Sequence, residues 1–222
     1  MKRITALVPM KGHSERVPGK NLRDFNGKPL FYWILHELTK VSAVKDIFVD
    51  TDNPKLAEMI LTYFSDSVKI IDRPQRLHGD DISMNEIISY DISIISNEHF
   101  LQTHTTNPLL TASTIERAIE VYFSSFSDND SIFSVSAIQN RCYTHENIGI
   151  NHNPDELLPT QQLKPVFVEN SNLYIFSKES FKKKQRRIGV KPLMFEMSQY
   201  EAIDIDEEED FIYSEILHKA RC

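Results

Sequence analysis

The residues best placed to do chemistry sit near the start of the chain. Lys11, Gly12, Ser14, Arg16, Lys20 and Asn21 crowd a short segment that also holds Pro9, Pro18 and Gly19. An apolar run (Ile4, Ala6, Leu7, Val8) leads into it, and a helix-like segment, Leu30 to Leu38, comes after it. Strand, glycine-bearing basic loop and helix together make a phosphate site. Backbone N–H groups aim at the oxygens, and lysine and arginine neutralise their charge. Gly12 and Gly19 allow close backbone approach, and Pro9 and Pro18 stiffen the loop. The loop is not a Walker A motif, because Asn21 rather than Ser or Thr follows Lys20, and G-x-G-x-x-G is absent.

A second group lies near the other end, at Asp204-Ile205-Asp206. Ile203 to Ile205 reads as a short strand, and residues two apart on a strand face the same side. Both carboxylates could then hold a hard cation such as Mg²⁺, which takes oxygen ligands and bridges protein to phosphate. Asp206 could equally cap the last helix, whose first turn carries Glu207, Glu208 and Glu209. The two readings are compatible.

The elements that must position these groups alternate along the chain. Ile47 to Val49 reads as a strand ending at Asp50-Thr51-Asp52, and Pro54 opens a helix with Leu56, Ile60, Leu61 and Phe64 on one face. Val68 to Ile71 is a strand. Ser83 with Glu86 makes a capping box for a helix bearing Ile87, Ile88, Ile92 and Ile95. A strand ends near Thr103, a helix starts at Thr111 or Ser113, and Ser131 to Ala137 is a further strand. This alternation predicts an α/β fold in three layers: a mostly parallel, twisted sheet with helices on both faces. Residues 139–165 break the pattern. They are polar and too long for an ordinary connection, and they read as an excursion for dimerisation or substrate contact. Asn172 to Phe176 (strand), Lys178 to Lys184 (helix), Phe195 to Met197 (strand) and Glu207 to Lys219 (helix) complete the chain. Ligands of open α/β sheets bind at the carboxyl ends of strands. Polar clusters stand at four such ends: Lys11 to Asn21, Asp50 to Asp52, His104 to Asn107, and Asp204 to Asp206.

Composition excludes several classes. With Lys+Arg 25 against Asp+Glu 32 the net charge is −7, so the chain is not a nucleic-acid-coating protein. No apolar run is long enough to span a membrane, and the apolar part of the N-terminus is too short for a signal peptide. Cys142 and Cys222 form neither a disulfide framework nor a metal pattern, which fits a reduced cytoplasmic setting with Cys222 exposed. The run Lys182-Lys183-Lys184-Gln185-Arg186-Arg187 reads as a helix end followed by a solvated loop. Phe25, Phe31, Tyr32 and Trp33 read as packing residues.

Gly12-x-x-x-Arg16-x-x-x-Lys20 resembles the signature loop of sugar nucleotidyltransferases. The stretch through Pro29 resembles the start of the acylneuraminate cytidylyltransferases, the CMP-sialic acid synthetase family. The likeness continues in order along the chain. Val49-Asp50-Thr51-Asp52 resembles that family's V-S-T-D, and Arg73-Pro74 with Asp80 resembles its R-P…L-x-x-D loop. Thr106-x-Pro108-Leu109 resembles the core of Q-P-T-S-P-L-R, and Glu169 to Phe176 resembles E-N-G-A-I-Y-I-F. Ala202 to Phe211 resembles its C-terminal metal motif. The resemblance implies a nucleotide-diphospho-sugar transferase-like fold and transfer of CMP from CTP to an acidic, sialic-acid-like sugar, with pyrophosphate released. It implies that Lys11, Gly12, Ser14, Arg16 and Lys20 hold the CTP phosphates. Asn21, Arg73 and Asp80 take the cytidine side, with Ser83 in the same CTP-binding set. Asp204 and Asp206 bind Mg²⁺, and Asp206 is a candidate acceptor for the nucleophile's proton. His104, Thr106, Gln161, Gln162, Lys164 and Asn170 are implied on the acceptor side, in a homodimer built through the excursion.

The departures cluster on the acceptor side. His104 and Leu110 stand where the family has Gln and Arg, Lys11 replaces an Arg, and Glu15 replaces a Lys. A different acceptor, such as a 3-deoxy-ulosonic acid, or a non-catalytic nucleotide-binding homologue are the alternatives. A HAD-type phosphatase reading of Asp50-Thr51-Asp52 fails, because that motif should close the first strand rather than the second.

Overall fold

The computed structural model describes residues 2–221, so the exposure expected for Cys222 lies outside the described residues. The chain runs through β1 (Ile4–Leu7), a hairpin of β2 (Asp24–Phe25) and β3 (Lys28–Pro29), α1 (Leu30–Lys40), β4 (Val44–Thr51), α2 (Pro54–Phe64), β5 (Val68–Asp72) and α3 (Met84–Ile94). It continues through β6 (His99–Thr103), α4 (Ala112–Ser125), β7 (Ser131–Ile138), β8 (Val166–Ser177), α5 (Lys178–Lys184), β9 (Pro192–Glu196) and α6 (Glu208–Arg221). Seven strands form one sheet in the order β5-β4-β1-β6-β8-β7-β9. β8 runs antiparallel to both neighbours, and the other pairings are parallel.

Alternation along the strands builds the three layers. Ile4 and Ala6, with Val8 beyond the strand, pack into a core with Ile34, Leu35, Leu56, Ile60, Ile115 and Ile119 of α1, α2 and α4. Leu7 and Phe100 point the other way, onto Ile88 and Ile92 of α3 and Phe181 of α5. A central parallel strand covered on both faces is apolar throughout, and every residue of β1 except Thr5 is. The helix starts follow their sequence signals. Asn53 accepts from the Lys55 and Leu56 amides with Pro54 at the first helical position, Ser83 and Glu86 close a capping box, and Thr111 caps α4.

A third, smaller cluster ties the basic loop to the C-terminal acidic segment. Val17, Phe25, Leu30, Ile205 and Phe211 are buried together, with Trp33 packed against them. Val17 lies inside the basic loop and Ile205 lies between the two aspartates, so one apolar knot pins both segments at the same place. This corrects the expectation of a strand at Ile203 to Ile205. The segment is extended but has no ladder, and its link to the sheet is Ile205 N–H donating to the Thr106 carbonyl at 2.8 Å. Its apolar residue is used as an anchor rather than as a sheet face. β8 starts earlier than its apolar stretch suggests, because β7 pairs with it back to Ile138↔Val166. The excursion between these strands has a bridge at Tyr143↔Gly149 and a 3₁₀ turn at Thr160–Gln162, and it leaves Ile148, Ile150 and Leu157 exposed. Among the described residues no helix is long and apolar enough to cross a membrane.

Candidate active site

The loop after β1 is held from below by β4 and its extension. Met10 N–H donates to the Asp50 carbonyl at 2.8 Å, and Gly12 N–H donates to Asp52 Oδ1 at 2.7 Å. A Cβ on Gly12 would collide with the Asn53 side chain, so this approach requires glycine. Gly19 adopts φ 66°, the left-handed turn into the short 3₁₀ segment Lys20–Leu22. Asn21 closes the loop on itself and on β6: its Nδ2 donates to the Lys11 carbonyl at 2.8 Å, and its Oδ1 accepts from Thr105 at 2.6 Å.

The cations then gather over the strand ends. Lys11, Ser14 and Lys20 line one opening with His104 and Thr106. Lys20 Nζ donates to the Ile205 carbonyl at 2.7 Å; burial lowers its pKa, while Asp204 and Asp206 oppose that. Arg16 reaches Asp206 at 2.6 Å and Glu207 at 3.3 Å, both through exposed side chains. Lys11 meets Asp80 at 3.2 Å, which brings the loop after β5 over the same opening.

Asp204 and Asp206 share the site but not an environment. Burial raises the pKa of Asp204, the Thr106 hydroxyl opposes the shift, and Asp206 adds to it. Asp204 Oδ1 is buried with no hydrogen-bond partner, whereas Asp206 is half exposed on Arg16. At the start of α6, Asp210 Oδ2 accepts from the Asp206 and Glu207 amides at 3.1 and 2.8 Å. Among the described residues no group of three or more His, Cys, Asp or Glu could hold a metal. Two carboxylates suffice for Mg²⁺, which usually completes its shell with phosphate oxygens and water. The orphaned Asp204 oxygen beside Asp206 fits such a cation.

Other expected residues are placed differently. Arg73 lies below the surface, with Nε donating to Asp50 and Nη2 donating to the Asp50 carbonyl at 3.2 Å. Asp91 of α3 is buried against that pair. Burial and the Asp50 charge push it up to about 9, so it keeps its proton at neutral pH. Ser83 is occupied in the α3 capping box. Asn170 spends its amide on Ser134 and Ser136, at 2.6 and 3.0 Å. Gln161, Gln162 and Lys164 are exposed on the excursion. Leu110 is buried in the α4-side core. His104 is held neutral, its pKa pushed down to about 3 by burial and by Arg187 and Lys20.

Two contributors are not apparent from the sequence. Gln102, buried in β6, places its Nε2 3.0 Å from His104 Nε2. Arg187, expected in a solvated loop, is instead part-buried, with Nη1 donating to Gln102 Oε1 at 2.5 Å. A polar residue directly after the apolar pair Phe100-Leu101, within a strand, is the signal for Gln102; nothing local marks Arg187.

A three-layer α/β sheet with a glycine-bearing basic loop and paired aspartates at its strand ends defines a nucleotide-binding transferase class. The profile of the cytidylyltransferase family matches residues 5–219, and the chain belongs to that family. It is 23% identical over 218 residues to an N-acylneuraminate cytidylyltransferase of Streptococcus agalactiae, covering 93% of this chain and 51% of the relative. The chain thus spans about half the length of that relative. A pseudaminic acid cytidylyltransferase of Campylobacter jejuni is 23% identical over 226 residues, covering 96% of this chain and 95% of the relative. Among solved structures, a CMP:2-keto-3-deoxy-manno-octonic acid synthetase complexed with CTP superposes with a TM-score of 0.70 at 12% identity, covering 100% of both chains.

Proposed function

We propose that the protein transfers CMP from CTP to the hydroxyl of an acidic nine- or eight-carbon sugar and releases pyrophosphate. One observation carries this reading: Lys11, Arg16 and Lys20 converge with Asp204 and Asp206 over the strand ends, in a chain of the cytidylyltransferase family. The hydroxyl oxygen bonds to the α-phosphorus, the bridging bond to the β-phosphate breaks, and pyrophosphate leaves. The hydroxyl proton passes to Asp206 or to the solvent beside it. Every species on this path is strongly anionic, so the loop cations stabilise it throughout. Gly12, its own N–H taken by Asp52, lets the loop run close to the strand ends, and Ser14 supplies a hydroxyl. Asp204 and Asp206 would hold Mg²⁺, which neutralises charge on the phosphate and the attacking oxygen when bound. Asp80 and Arg73 border the base side; Arg73 acts there through Asp50 and the loop it braces.

The acceptor binds toward His104, Thr106 and the Asn170 stretch of β8, with Gln161, Gln162 and Lys164 of the excursion reached through a second copy. Ile148, Ile150, Leu157, Phe167, Val190 and Met194 are exposed on the excursion and the neighbouring edge of the sheet. So much exposed apolar surface favours a homodimer. A cytoplasmic location follows from the use of CTP.

Thermal shifts with CTP, UTP, ATP and GTP plus Mg²⁺ should single out CTP, and equal shifts for all four would sink the assignment. Pyrophosphate release with CTP and neuraminic, pseudaminic and 3-deoxy-octulosonic acids then separates an enzyme from a silent nucleotide binder, which would shift with CTP and release nothing.

A further inference from the structure

Arg187 follows the exposed lysines at the end of α5 but turns back onto the interior strands β6 and β8. Its guanidinium lies 4.0 Å over the Tyr174 ring, and its backbone N–H donates to Asn85 Oδ1 at 3.3 Å. Asn85, Glu169, Tyr174, Arg186, Arg187 and Ile188 line an open pocket of about 180 Å³. Burial works against the charge of Arg187, yet an arginine stays protonated. Among the described residues it forms no salt bridge, and Glu169 accepts the Tyr174 hydroxyl instead. Glu169 lines the same pocket and acts on the guanidinium only at longer range. A part-buried guanidinium with no salt-bridge partner among the described residues, facing an open pocket, suits a planar anion that can take two parallel hydrogen bonds.

The pocket is wired to the nucleotide side. Arginine only donates, so the Gln102 oxygen must face Arg187 and the Gln102 amide nitrogen must face His104. The Gln102 amide nitrogen thus meets the His104 ring, 3.0 Å from Nε2 and 3.4 Å from Nδ1. His104 in turn shares its opening with Lys11, Lys20 and Thr106. No other cation comes from the segment after β6, where His104 is neutral and Leu110 is buried.

We propose that Arg187 anchors the carboxylate of the sugar acceptor in the pocket between the start of α3 and β8, a specificity contact that rests on the cytidylyl-transfer reading. The rest of the sugar then extends past Gln102 toward His104, with its hydroxyl at the phosphate loop.

The test starts from pyrophosphate release by the full chain with CTP and the three acids named above. The acid used most efficiently is carried forward together with its methyl ester. Arg187→Ala should raise the KM of the acid at least about tenfold, as for a lost charge-assisted pair, and leave the KM of CTP within about twofold. Arg187→Lys should recover part of the loss. The wild type should discriminate against the ester by a similar factor, and Arg187→Ala should treat acid and ester alike. Lys183→Ala, on the exposed face of α5, should change neither constant. If Arg187→Ala does not fold, Arg187→Gln keeps a donor toward Gln102 and carries the same expectation. Equal rises for both substrates, a rise for CTP alone, or intact discrimination in the variant would overturn the proposal. Calorimetric binding of the same acids without CTP keeps the two readings apart. Acid binding lost in Arg187→Ala supports the anchor even if CTP gives no thermal shift. Acids that bind the wild type and the variant equally, or bind neither, refute the anchor while a CTP-specific shift stands.

Discussion

The two ends of the sheet treat their polar groups in opposite ways. At the β1–β4–β5 end, Gly12 rests on Asp52, Asn21 bridges Lys11 and Thr105, and Arg73 lies on Asp50. At the β8–β7–β9 end, Arg187 forms no salt bridge among the described residues and meets Glu169 only at longer range, and Phe167, Val168 and Met194 lie open to water. The first end is pre-organised within one chain, as a site for a fixed and highly charged nucleotide should be. On the function proposed above, the second would be completed from outside the chain, by an acceptor and a second copy. Specificity for the nucleotide would then be built into the fold, and specificity for the sugar left to groups that change without disturbing the core.

The sharpest way to break this contrast is at the seam between the two ends. Asp204→Asn keeps the shape of the carboxylate and removes its charge from the cation site. Turnover should fall by about 10²–10³-fold, the size expected when transition-state charge loses a ligand. Because Asp204 Oδ1 has no hydrogen-bond partner, the circular dichroism spectrum and melting temperature should stay near wild type. A variant that folds and keeps its rate with Mg²⁺ removes the cation site from the mechanism.

A second substitution tests pre-organisation at the nucleotide end. Gly12→Ala forces Asn53, the cap of α2, out of place, because the new Cβ meets its Cβ as well as the amide tip. The loop should lift off Asp52 and the KM of CTP should rise roughly tenfold, with the acceptor KM little changed. Equal rises would mean that the two ends are not independent.

The third separates stability from binding. Asp91 keeps its proton in the fold up to about pH 9 but ionises near pH 4 when unfolded. Its contribution to stability is fully present below about pH 4 and is lost as the pH rises toward 9, since over that window the native state binds the extra proton. Asn has no proton to lose, and its amide can donate to the unpartnered Asp50 Oδ2. Asp91→Asn should therefore gain on wild type between pH 5 and pH 8, by about 1.4 kcal/mol per pH unit, roughly 4 kcal/mol over the window, in urea denaturation. A gap that does not change with pH would show that Asp91 is ionised in the fold.

The same contrast explains what the sequence discloses. The helix caps at Asn53, Ser83 and Thr111 were legible because each is a local hydrogen-bond pattern within three residues. The basic loop is marked by its own glycines and cations after β1, whereas the paired aspartates stand out through the resemblance of Ala202 to Phe211 to a family motif, not through a strand that carries them. The extended run at Ile203 to Ile205 was misread because an alternating apolar pattern cannot say whether a neighbouring strand is available. Arg187 was hidden in a run of exposed cations, and what buries it comes from β6 and β8. The partners of Arg73 at Asp50 and Asp91 are also set by topology, being supplied by separate elements.

The smallest expected effect lies at the acceptor end. Ser171 stands where the family-like motif has Gly, yet its backbone keeps φ 58°. A side chain in that left-handed region costs about 1–2 kcal/mol, and glycine avoids the cost while losing roughly 0.5–1 kcal/mol of unfolded-chain entropy. The Ser171 hydroxyl lies 3.3 Å from the Tyr174 hydroxyl, a long contact, and Glu169 already holds that phenol. Ser171→Gly should therefore stabilise the protein by about 0.5–1 kcal/mol, seen as a rise of roughly 1–4 °C in melting temperature. The KM values of both substrates should not change, because Tyr174 keeps its place under Arg187. A rise in the acceptor KM with the CTP KM constant would show instead that the strained serine positions Tyr174, and that the acceptor end stores conformational strain as part of its function.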